Sequence, residues 1–153
     1  MAIPASIDIS GLIGIRQFLF RFGIDLQSLP GLMEEIAQYS MTQIKKRTLS
    51  GQDVDGHLFK PYSDKYALFR REKGRPTGKV DLFFSGSMFS SMTSNIDSRE
   101  IRIFFMNTSD RNNSRNPLKA FFLNQERNFF ALSENDVRGI IEIIEEYLSN
   151  LIG

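Results

Sequence analysis

The sequence predicts an α+β fold, a small antiparallel sheet packed with N-terminal helices and a long C-terminal helix. Three stretches carry that expectation. Residues 28–49 repeat apolar side chains at three- and four-residue steps. Residues 99–106 alternate in strand fashion, and residues 133–152 open on a capping pattern and return to helical spacing. At 153 residues, 41% of them apolar, the chain fits a single domain spanning 1–153 with length enough for a real core.

Along the chain, Leu12, Ile15, Leu19 and Phe22 mark a first amphipathic helix over residues 12–22, widened by Phe18 and stopped by Gly23. A second helix runs from Ser28 to Leu49, with Ser28 as its cap and Pro30 in the first turn, where a missing N–H does no harm. Met33, Ile36, Ala37, Ser40 and Ile44 share its buried face. Lys45, Lys46 and Arg47 stand where the helix dipole favours cations, and Gly51 closes the element.

Residues 50–80 read as a long basic loop or arm, broken by Gly51, Gly56, Pro61, Gly74, Pro76 and Gly78, with a helical turn from Ser63 to Arg71 capped by Ser63. A connection of this length in a compact domain is functional or becomes ordered against a partner. After Ser85-Gly86-Ser87, the residues Met88, Phe89 and Met92 mark a short helix. In the strand that follows, Ile101, Ile103 and Phe105 point one way, Arg102 and Phe104 the other. Asn107 to Asn116 is an exposed loop, Leu118 to Leu123 a helix or strand, and Asn128 to Leu132 a strand. Ser133-Glu134-Asn135-Asp136 has the form of a capping box. It opens the best-defined helix, whose stripe is Val137, Ile140, Ile141, Ile144, Tyr147, Leu148 and Leu151.

Net charge is +1 and says nothing about partners, but its distribution does. Residues 60–79 hold Lys60, Lys65, Arg70, Arg71, Lys73, Arg75 and Lys79 against Asp64 and Glu72, a local balance of +5. Residues 134–153 hold Glu134, Asp136, Glu142, Glu145 and Glu146 against Arg138, a balance of −4. Such a split lets one part of a subunit attract another part of its neighbour, which makes the seven basic residues with Glu142, Glu145 and Glu146 the candidate interface. The chain has no cysteine, which excludes disulfide and thiolate chemistry. Its first residues lack the pattern of a signal peptide, and no apolar run approaches the roughly 20 residues that span a bilayer. A soluble protein with no membrane partner is expected.

No catalytic, cofactor-binding or metal site is expected either. His57 is the single histidine, so no second one is present to complete a triad or a histidine-rich metal site. Asp53-Val54-Asp55-Gly56 opens like a calcium loop, but no acid follows until Asp64, and an Asp-Gly turn accounts for it better. Glu34, Glu35, Glu142, Glu145 and Glu146 fall on the solvated faces of helices rather than converging in a cleft. Ser85-Gly86-Ser87 lacks the flanking glycines of a nucleophile elbow. The basic stretch interleaves Phe59, Tyr62, Tyr66 and Phe69 with its cations, a composition that also suits single-stranded nucleic acid. The paired phenylalanines at 83–84, 104–105, 121–122 and 129–130 cannot both face one core if extended. Either they are buried together in non-extended backbone, or some cover a neighbouring subunit.

Taken in order, several pieces resemble the phage virion-morphogenesis, or tail-completion, family of neck and minor tail proteins. A helix ends in Gln43-Ile44-Lys45-Lys46-Arg47, and an Asp-x-Asp-Gly turn leads through Phe59-Lys60-Pro61-Tyr62-Ser63. Then come Asp81-Leu82-Phe83-Phe84-Ser85-Gly86-Ser87-Met88 and Phe130-Ala131-Leu132-Ser133-Glu134-Asn135-Asp136 before the last helix. The likeness covers residues 30–152 and departs at Lys119-Ala120-Phe121-Phe122-Leu123-Asn124-Gln125, where family members carry histidine and glycine. It implies a non-enzymatic virion subunit, assembled in the bacterial host cytoplasm and residing at the neck or head-proximal end of the tail. Such proteins form a ring, commonly six-fold, that joins tail to head. Partners would be other copies, neighbouring neck, connector and tail-tube proteins, and genomic DNA in the channel. A tail terminator capping the tube is the alternative within the virion, and a small nucleic-acid-binding protein is the alternative outside it.

Overall fold

The computed structural model describes residues 6–8, 21, 23, 30–96 and 100–152. Its elements are β1 (Ser6–Asp8), α1 (Pro30–Leu49), α2 (Asp64–Glu72), α3 (Ser87–Ser90), β2 (Met92–Ile96), β3 (Ile101–Phe105), α4 (Asn116–Arg127) and α5 (Glu134–Ile152). The fold is α+β, with β3 as the middle strand of an antiparallel sheet ordered β1-β3-β2. Ile7 pairs with Ile103 on one side, and Ser94 pairs with Ile103 on the other. The helix expected over residues 12–22 and the Ser28 cap lie outside the described residues, except that Arg21 is helical and Gly23 sits in a turn.

α1 forms where its stripe requires. Leu32, Met33, Ile36, Ala37, Met41 and Ile44 are all buried, and the helix packs against α5 and across β2 and β3. Burying each of its larger side chains contributes about 1.5–3 kcal/mol relative to exposure. Ser40 and Thr48 fall on the same face and are made harmless by donating their hydroxyls to the carbonyls of Ile36 and Ile44. Ile101, Ile103 and Phe105 of β3 point into this core while Arg102 stays in water, as the alternation requires. α5 adds Ile140 and Ile144. The α1–α5 approach is close: a Cβ on Gly139 would stand 1.9 Å from the Tyr39 hydroxyl oxygen.

Three local expectations are corrected, and one left open is decided. Asn128 to Leu132 is not a strand. Asn128 takes a φ of 28°, and the irregular backbone after it lets both Phe129 and Phe130 turn inward against Phe105, with ring centroids 6.3 and 4.8 Å away. Leu118 to Leu123, expected as helix or strand, is helix and part of α4. Met92 opens β2 rather than ending a helix, and Asn116 is not exposed loop: its buried side-chain amide donates to the hydroxyls of Ser87 and Thr108.

The end of α1 is tied to the start of α5 by one guanidinium. Arg47 reaches the Asp136 carboxylate at 2.5 Å and the Ala131 carbonyl at 2.6 Å, and both charged side chains are nearly buried. Asp136 in turn completes the expected capping box: its carboxylate accepts from the Ser133 amide, and its own amide donates to the Ser133 hydroxyl. Removing one partner from a buried pair leaves the other uncompensated. Arg47→Ala should therefore destabilise the fold by about 3 kcal/mol in urea unfolding. Asp136→Asn, which retains a cap, should cost less. An unchanged midpoint for Arg47→Ala would contradict this role.

Candidate functional site

The stretch expected to be a flexible basic arm is folded down onto the body. Ser63 caps α2 by accepting from the Tyr66 amide, as its position in the sequence suggests. Gly51 and Phe59 close a small hairpin through a 2.8 Å hydrogen bond. The return from α2 is held by Arg70. Its Nε donates to the Pro76 carbonyl at 3.0 Å, and one terminal nitrogen reaches the Phe83 carbonyl at 3.0 Å and Asp81 at 3.4 Å. The guanidinium also lies over the Tyr62 ring at 4.6 Å, a cation–π contact strengthened by burial.

Around that guanidinium the rings form a ladder. Tyr62 meets Tyr66 edge-on at 5.1 Å, Tyr66 stacks on Phe69 at 6.0 Å, and Phe69 stacks on Phe84 at 5.7 Å. Burial pushes the Tyr62 phenol above its usual pKa, and the nearby Arg70 charge partly opposes that shift. The Tyr62 hydroxyl accepts from the Leu82 amide and helps hold Leu82 at a φ of 54°, a conformation rare for a bulky residue other than glycine. Two residues after Phe84, Gly86 takes a φ of 81°, and a Cβ there would press within 2.9 Å of the Phe83 ring. Glycine is thus required at the turn of the Ser-Gly-Ser segment.

The ladder is one wall of a groove of about 850 Å³. The floor comes from Leu82, Met88 and Phe89, and the far wall from α4 through Lys119, Leu123 and Arg127 and from the loop residues Asp110, Asn112 and Ser114. Within the groove several charges are already matched: Arg70 with Asp81, Lys119 with Asp110 at 2.6 Å, and Arg127 with Glu126 at 3.1 Å. Lys60 lines the groove as well. Lys73 stands 5.9 Å from the Phe69 ring and Arg75 5.5 Å from the Phe84 ring.

The proposed interface residues therefore divide. Lys60, Lys65, Arg71, Lys73, Arg75 and Lys79 are exposed and form no ion pair among the described residues. Arg70 is the correction: at 1% exposure it is an internal cross-brace, so reversing its charge would test folding, not docking. Glu142, Glu145 and Glu146 lie on the solvent face of α5, also without ion pairs among the described residues. Asp136 and Glu134 of the same stretch are paired with Arg47 and Arg138. Sequence reading missed Lys119, Asp110 and Arg127 as groove residues, because they become neighbours of Tyr62 only through the tertiary fold.

The donor atoms of Asp53, Asp55 and His57 fall within 4.8 Å of one another. The geometry is that of the expected turn: one Asp53 oxygen accepts from the amides of both Asp55 and His57, Gly56 takes a φ of 83°, and the His57 ring is 80% exposed. No helix among the described residues is long and apolar enough to cross a membrane. Comparison with protein-family models, curated proteins and solved structures finds no match for this chain.

Asp110 fixes the loop wall of the groove. Its carboxylate accepts from the Lys119 ammonium and from the amides of Ser114 and Asn112, and these bonds hold it below the usual aspartate range. A lowered folded value means that the bonds support the loop fully above the unfolded pKa and fade as pH falls through the folded one. The amide proton resonances of Asn112 and Ser114 should move upfield on acidification, with a midpoint below the ordinary aspartate value of about 3.9. A midpoint at or above that value would contradict the assignment.

Proposed function

We propose that this chain is a structural, non-enzymatic subunit of a tailed bacteriophage virion, a neck or tail-completion protein that works by assembling into a ring. The reading is supported first by the ordered run of short motifs from Gln43 to Asp136, which resembles that family. It is carried by one feature of the surface: unsatisfied apolar side chains share the molecule with two segregated and unpaired charge sets. Phe122 is 62% exposed beside exposed Leu118 on α4, and Leu68 and Phe69 of α2 are exposed among the cations. Single exposed apolar residues are ordinary, but apolar side chains flanked by uncompensated charge of one sign are the makings of an interface. The acidic set lies on a different element from the basic one, which is compatible with the heterologous contact that closes rings.

Within the virion, a tail terminator would use the same surfaces and differ in its neighbours, so co-purification with tails or with heads separates the two roles. A second reading, binding of single-stranded nucleic acid, is favoured by the Tyr62–Tyr66–Phe69–Phe84 ladder. The internal matching of Arg70, Lys119 and Arg127 takes three of the cations that line the groove out of any phosphate contact, leaving Lys60 in the lining with Lys73 and Arg75 beside its rings.

The purified chain should form a ring of several copies, seen as a multiple of the 17.6 kDa subunit by light scattering and as an annulus by electron microscopy. Mass spectrometry of purified particles should detect it in the virion. A chain that stays monomeric and is absent from particles would overturn the proposal.

A further inference from the structure

We infer that residues 60–79 form a strap that lifts off the body as one unit while the rest of the fold stays intact. Both ends of the strap are rooted in the core, at buried Phe59 and buried Val80. Between those roots, Arg70 is the one buried side chain among the described residues. Tyr66, Leu68 and Phe69, the large apolar side chains of α2, remain exposed. A helix in a folded protein draws most of its stability from packing an apolar face, as α1 does with its buried stripe. α2 has no such face.

What holds the strap down is mainly polar. Arg70 ties it to the Phe83 carbonyl and the Asp81 carboxylate, just beyond the second root. The Tyr62 hydroxyl accepts from the Leu82 amide at 3.3 Å, and Arg127 reaches the Lys60 carbonyl at 3.4 Å, both long bonds. Phe69 stacks on Phe84. Other contacts lie inside the strap and travel with it: the Ser63 cap, the Tyr62–Tyr66 and Tyr66–Phe69 ring pairs, and the Arg75 amide on the Arg70 carbonyl. α2 can therefore stay helical as it lifts. Lifting returns a guanidinium to water, where it regains the hydration that burial removed. α2 has little buried apolar surface to lose, so the hydrophobic effect opposes the motion only weakly. Because Tyr62, Tyr66 and Phe69 line the groove, the groove keeps this wall only while Arg70 is seated.

Hydrogen exchange of the full chain in rising urea, at low protein concentration, tests this. Amides of α2 should exchange about a hundredfold faster than those of α1, at a rate that urea barely changes, because the opening exposes little surface. Amides of α1 and α5 should instead follow global unfolding. Arg70→Lys keeps the charge but loses the planar fork that reaches several acceptors. It should speed exchange across α2 by a common factor of about ten and leave α1 and α5 unchanged. A second readout separates lifting from fraying in place. The chain has no cysteine, so Glu72→Cys and Gln125→Cys provide one spin-label site on the strap and one on α4. Pulsed dipolar spectroscopy should show a second, longer distance whose share grows in the Arg70→Lys background. Exchange of α2 at the α1 rate and with its urea dependence overturns the inference. So does a single distance that Arg70→Lys leaves unchanged, or an Arg70→Lys chain that loses the whole fold.

Discussion

The buried guanidinium of Arg70 governs the half of the molecule that carries the aromatic groove. A charge taken out of water must be matched closely, and here three acceptors on two turns of chain and the face of Tyr62 do so. That matching forces residues 76, 81 and 83 to converge on one point and turns a connection rich in glycine and proline into a fixed wall. The aromatic ladder, the left-handed Leu82 and the floor of the groove all follow from where this side chain sits. A second guanidinium, Arg47, performs the same service at the other end by joining α1 to the cap of α5.

The parts of the fold that were legible in the sequence are those set by local periodicity and capping. The stripe of α1, the alternation of β3, the Ser63 cap and the Ser133–Asp136 box need only neighbours within four residues, and the structure shows each of them. Phe129 and Phe130 were misassigned to a strand because an apolar run has no period that separates an extended strand from an irregular inward-facing segment. The site was half legible. Composition located the basic, aromatic stretch, but charge counting treats every arginine alike. Nothing near Arg70 in the chain distinguishes it from Arg71, and only the tertiary positions of Asp81 and Phe83 make it internal. Lys119 and Arg127 were invisible for the complementary reason, since α4 reaches the groove from across the fold.

With the internal pairs set aside, the surface is simpler than the sequence makes it look. Asp136 and Glu134 are spent on Arg47 and Arg138, and Arg70 on Asp81. Among the charges that remain are a basic set beside the aromatic groove and an acidic set at the end of α5. Exposed ion pairs are individually weak, so such charges would set orientation and encounter rate rather than affinity.

Hydrogen exchange followed as a function of protein concentration tests that account most directly, because it reads both surfaces in the unmodified chain. Amides of residues 60–75 and of 142–151 should gain protection together as concentration rises, while those of α1, already buried in the monomer, stay constant. Exchange that is independent of concentration in both segments, or protection confined to one of them, would contradict a head-to-tail contact between copies.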